Sequence, residues 1–194
     1  VPKEALEELE AVAEKIKPEK PEVRHKRLFS GRDFDLYDER GNWVEQRARL
    51  LQRRIEALRE ILDRSGFEAL KSFWRSVESP HEVGNAYGAD VERANDAQVL
   101  PTFLESENEA DFRFAHSYIW RRFNLNKWDW VDSIERSNWS ASAKAKFFTA
   151  LPFVNEVWKR ITEELAEDDS EYWTRAQVFP TLDNVENIKY AIDQ

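Results

Sequence analysis

The apolar period between Val44 and Arg64 constrains this chain most. Val44, Ala48, Leu51, Ile55, Leu58 and Leu62 recur at steps of four and three, and Leu50, Ala57 and Ile61 widen the stripe. At 3.6 residues per turn these positions share one face of a straight helix. A helix with one apolar face needs neighbours to cover it, so the chain must supply further elements of the same kind.

It does. Leu70, Phe73, Trp74 and Val77 mark a second helix over 67–77, after a stop at Ser65-Gly66. Ser79-Pro80 opens a short third one through Tyr87, and Pro101 interrupts the stretch 91–104. A strong pattern over 109–123 places Phe112, Ala115, Ile119, Trp120 and Phe123 inward. Shorter segments cover 128–134, 140–151 with Ser140 as cap, 154–165 and 172–176, and a last helix starts at Asn184. Ahead of the long helix, Asn42 followed by Glu45 has the spacing of a capping box. No sustained strand alternation occurs. The expected fold is all-α, an array of antiparallel helix pairs of the α-solenoid type, with a compact helical bundle as the alternative. Residues 1–16 form an N-terminal helix in this reading, 17–41 an irregular connector, and 42–194 the array. The proline-bearing run Lys17-Pro18-Glu19-Lys20-Pro21 ends the first helix.

Two stretches carry a resemblance. Residues 49–88, with Arg49-Leu50-Leu51, Ala57-Leu58, Gly66-Phe67 and Val77-Glu78-Ser79-Pro80, resemble a HEAT-like helical repeat. Residues 112–173 follow, with Phe114-Ala115, Ile119-Trp120, Trp128-Asp129-Trp130-Val131, Ala150-Leu151-Pro152-Phe153, Val157-Trp158 and Glu171-Tyr172-Trp173. They are similar to helical-repeat regions of large, poorly characterised bacterial multidomain proteins. The resemblance implies a packing scaffold; it carries no catalytic signature and no cofactor.

Composition narrows the chemistry. The 194 residues include no Cys, so neither disulfides nor thiolate sites can form. A formal charge of −9 weighs against a nucleic-acid backbone as main ligand, because such binding rests on phosphate neutralisation by Lys and Arg. No apolar run reaches the ~18 residues of a membrane span. With no signal-peptide pattern at its start, the chain reads as cytoplasmic. It begins at Val1 and holds no Met, which reads as a piece of a longer protein. Five Gly and no phosphate-loop motif leave nucleotides without their usual backbone cradle.

His25, His81 and His116 are scattered, and no metal-ligand spacing joins them. Asp129 and Asp132 beside Trp128 and Trp130 are the best local carboxylates, but their position suits helix N-terminal charges. An enzyme would need paired carboxylates converging in a pocket near His116. On the long helix, acids interleave with six arginines, which describes a solvated face. Arg121, Arg122 and Lys127 form a small basic spot among aromatics, a candidate contact that would stack on a base or grip an acidic partner, while the commoner role of such stems is to cover the rim of the core. Trp43 and Trp139 lie off the apolar stripes and are candidate exposed contacts. The expected function is a non-catalytic protein-interaction or scaffolding module of a larger bacterial protein, with no cofactor or metal. The alternative is a regulatory segment that senses nucleic acid or a foreign protein and controls an attached effector.

Overall fold

A computed structural model describes residues 18–33 and 42–176, together with Ala5, Glu8 and Val12. Among these residues the chain is helical and contains no strand. The helices expected over 1–16 and from Asn184 lie outside the described residues, except that Ala5, Glu8 and Val12 are helical. The chain divides into two compact units, Val1–Ser79 and Pro80–Gln194.

In the first unit a short α1 (Pro21–Arg24) and a 3-10 turn (Lys26–Phe29) precede the long α2 (Trp43–Ser76). Asn42 caps α2, its side chain accepting from the Val44 amide at 3.0 Å. The expected stop at Gly66 is a break within α2: Gly66 takes φ 77°, where a side chain would be strained, and helix resumes beyond it.

The connector expected to be irregular is folded where it is described. Phe29 is fully buried, edge-on to Phe73 with ring centroids 5.2 Å apart. Arg54, itself buried, donates Nε to the Leu28 carbonyl at 2.8 Å and Nη2 to Asp33 Oδ1 at 2.6 Å. Glu60 accepts from Arg24 Nη1 at 2.9 Å and lies 2.7 Å from His25 Nε2. Those hydrogen bonds hold the Glu60 carboxyl below the usual carboxylate range, the His25 contact most of all. Polar side chains on α2 therefore dock this segment, and an apolar period cannot reveal such docking.

The second unit contains α3 (Pro80–Ala89), α4 (Asp96–Val99), α5 (Glu109–Ser133), α6 (Ala141–Thr149), α7 (Asn155–Leu165) and α8 (Ser170–Arg175). The separate helices expected over 109–123 and 128–134 are the two arms of α5, which breaks at Lys127 (φ 54°). Ser140 caps α6 as expected, its Oγ accepting from the Ala143 amide at 3.1 Å.

α3 lies against α5 through two glycines. A Cβ on Gly84 would collide with the Phe114 carbonyl oxygen and lie 3.1 Å from the Tyr118 amide nitrogen. One on Gly88 would lie 3.0 Å from the Tyr118 carbonyl oxygen and 3.2 Å from Arg121 Cβ. The contact advances in the same direction along both helices, so this pair runs parallel. The crossover 90–108, with α4 inside it, separates the two helices in sequence and lets them run in the same direction.

Gly84→Ala tests this contact. At an open helical position the change would stabilise by about 1 kcal/mol. Against the Phe114 backbone the overpacking wins, and we expect a net loss of about 2 kcal/mol or more, read from urea denaturation.

Candidate functional site

The two faces of α5 have different fates. Asp111, Phe114, Ala115, Tyr118 and Ile119 are buried. Phe112 is only half-buried and Trp120 is 45% exposed, although both were expected inward. A helix apolar on two faces needs two partners. On the second face, Phe112, Arg113, His116, Ser117 and Trp120 form one wall of a cleft of about 680 Å³. That size falls in the range of roughly 300–1,000 Å³ common for ligand sites.

The opposite wall comes from the end of α6 and the turn after it, Thr149–Phe153, and from Tyr172 and Arg175 of α8. Pro152 ends α6 and turns the chain, and Phe153 packs edge-on to Trp158 at 4.8 Å, which anchors the turn to α7. Tyr172 is buried, and burial pushes its hydroxyl up to about 12. His116 donates Nε2 to the Thr149 carbonyl at 3.2 Å, the acceptor-only carbonyl fixing that tautomer. Burial pushes the His116 imidazole below its ordinary value, which the bond to Thr149 partly opposes.

The cleft carries two cations, Arg113 and Arg175; His81 and His116 line it as well, and among the described residues no Asp or Glu does. Arg113 Nη2 donates to His81 Nδ1 at 3.3 Å, and His81 Nε2 lies 3.7 Å from Glu82 Oε1. Among the described residues no carboxylate pairs with Arg113. Arg175 gives its Nε to Glu171 at 2.9 Å, and its side chain remains about half exposed. The paired carboxylates that acid–base work beside His116 would require are not among the lining residues. No group of three or more metal-ligating side chains occurs among the described residues, and no described helix is long and apolar enough to cross a membrane.

The basic spot read from the sequence is distributed over different neighbours. Arg122 lies 3.3 Å from Asp96 Oδ1, its guanidinium over the Trp130 ring at 5.9 Å. Arg121 is half-buried beside Gly88, and desolvation lowers its affinity for its proton. Lys127, at the break in α5, holds Nζ 5.3 Å from the Phe123 ring centroid. Asp96 is the centre of this region: it accepts from Tyr118 Oη at 2.6 Å and from Trp130 Nε1 at 2.9 Å as well. Burial, reinforced by that bond to Asp96, pushes the Tyr118 hydroxyl far up. Asp132 is held by Arg160, which lies over the Trp128 ring at 4.6 Å, while Asp129 is exposed. Trp139 is half-buried against Phe147 at 5.6 Å, whereas Trp43 is 61% exposed. In the first unit a depression beside α1 is lined by Arg24 and Arg64, but both reach Glu60.

Two outcomes follow from these groups. Asp96→Ala strands the Tyr118 hydroxyl, the Trp130 indole and the Arg122 charge, and should cost about 2–4 kcal/mol in urea denaturation, with Asp96→Asn costing less. Unfolding frees His116 to protonate near its ordinary value of about 6.5, so its contribution to stability is complete above that pH and declines as pH falls below it. His116→Gln should flatten the stability profile between about pH 7 and pH 5 relative to the parent chain. Compared with known protein families, curated proteins and solved structures, the chain matches none.

Proposed function

We propose that the chain is a non-catalytic protein-interaction module of a larger bacterial protein, and that the cleft on the second face of α5 is where it takes a segment of its partner. One observation carries this reading: Trp120 and Phe112 stand on a helix face that the described residues of the second unit leave partly open. Aromatic side chains in a partly formed pocket are the usual anchors of binding energy at protein interfaces. The lining offers two half-buried imidazoles, His81 and His116, and no Asp or Glu among the described lining residues, which suits binding better than acid–base chemistry.

The HEAT-like resemblance supports the scaffold role, with stacked helix pairs as its architecture. The distribution of Arg121, Arg122 and Lys127 over separate neighbours weighs against a nucleic-acid-tracking surface at that spot.

Selection of a displayed random-peptide library on the full chain tests the reading. Enriched peptides should share an apolar anchor and lose at least about tenfold in affinity on Trp120→Ala, as expected of an interface anchor. Leu125→Ala, at an exposed position that does not line the cleft, should leave them unaffected. Peptides indifferent to Trp120→Ala, or no enrichment at all, would refute it.

A further inference from the structure

The electrostatics of the cleft identify its occupant more closely, on the reading that it binds a partner segment. The chain has 38 Asp and Glu against 29 Lys and Arg, so a random concavity should contain acids. Among the described residues this one contains none, and it contains two arginines. Arg113 is presented by His81 instead of being neutralised by a carboxylate. Arg175 keeps its exposed end beyond the bond to Glu171. Arg113, without a carboxylate partner among the described residues, is a preformed receptor for a carboxylate beside apolar walls, because its forked donors match two oxygens at once; Arg175, paired with Glu171 through Nε, adds a second positive group.

The shape supplies the second requirement. From Phe112 to Trp120 the α5 wall rises about 12 Å, at 1.5 Å per residue. That length matches roughly four residues of extended chain. We propose that the cleft binds an acidic linear segment of a partner protein, an apolar side chain entering the slot lined by Phe112, Trp120 and Phe153 while flanking Asp or Glu carboxylates pair with Arg113 and Arg175. The net negative charge of the chain then acts as a filter: it repels acidic surfaces broadly and admits one only where this cleft reverses the sign.

Calorimetric titration of the full chain with capped pentapeptides tests the inference. One peptide carries a central Trp flanked by Asp and Glu, a second replaces the acids by Asn and Gln, and a third by Lys. The acidic peptide should bind about tenfold or more tighter than the amide peptide at 50 mM salt, with the gap narrowing at 300 mM as screening lengths shorten. Arg113→Gln and Arg175→Gln, both at exposed positions, should each reduce that advantage while leaving the amide peptide's affinity unchanged. Equal binding of acidic and amide peptides would overturn the acidic partner and leave the cleft reading standing. Tightest binding by the Lys peptide would overturn it too. If no peptide binds, the cleft reading and this inference fail together.

Discussion

The close approach of α3 to α5 sets the geometry of the second unit. Gly84 and Gly88 lie one helical turn apart and remove the side chains that would hold the two backbones apart. With the backbones this near, Tyr87 projects past the seam and lies against both Phe114 and Tyr118, at ring separations of 6.1 and 5.7 Å. Tyr118 in turn reaches Asp96 at the start of α4, so the crossover between the two helices is tied to the helix that it leads into. Trp130, beyond the break at Lys127, hydrogen-bonds to the same carboxylate. One acid therefore gathers three segments that apolar packing alone would not hold in register, and it does so with hydrogen bonds that are directional where hydrophobic contact is not.

The consequence for α5 is that its orientation is decided on one side only. Once Phe114, Ala115, Tyr118 and Ile119 are committed to the core, the rings at 112 and 120 are carried by helical geometry to the next face round. Among the described residues, α6, the Pro152 turn and α8 cover that face in part, and the cleft is what they leave. Its apolar walls are thus a by-product of a helix with more large rings than one interface can absorb, and that excess is what makes them available to a partner.

Much of the local structure was legible in the residues. Ser140 and Asn42 are good helix caps whose side chains compete for free amides, so their positions could be read directly. Gly66 announced the interruption of α2 because only a glycine adopts its positive φ without strain. The break near residue 127 was also expected, though it falls on a lysine that nothing local marks as a breaker. Three things stayed hidden for physical reasons. Phe112 and Trp120 sit at spacings compatible with the core stripe, and only the tertiary choice of face separates them from Phe114 and Tyr118. The segment from Pro21 to Phe29 folds onto α2 through Arg54 and Glu60, and hydrogen bonds between distant positions leave no period. His81, the Arg113/His116 pair and Arg175 come from three places in the chain and share a cleft only after folding.

The basic spot at Arg121, Arg122 and Lys127 and the cationic cleft show why clusters along a sequence and clusters in space diverge. Neighbours along a helix point about 100° apart, so adjacent arginines face different surroundings. Arg122 turns toward Asp96 and Arg121 toward α3, where burial of their stems serves packing as much as charge. In the cleft the logic is reversed: residues far apart in sequence meet, and the nearest acids, Glu82 and Glu171, engage His81 and Arg175 from outside the lining. Glu171 holds the Nε edge of Arg175, and His81 holds Arg113. A carboxylate entering from outside would find donors already directed, with less side-chain entropy left to lose than at two freely mobile arginines. Preorganisation of this kind distinguishes a receptor from a patch, and it rests on His81 and Glu171 as much as on the arginines that they hold.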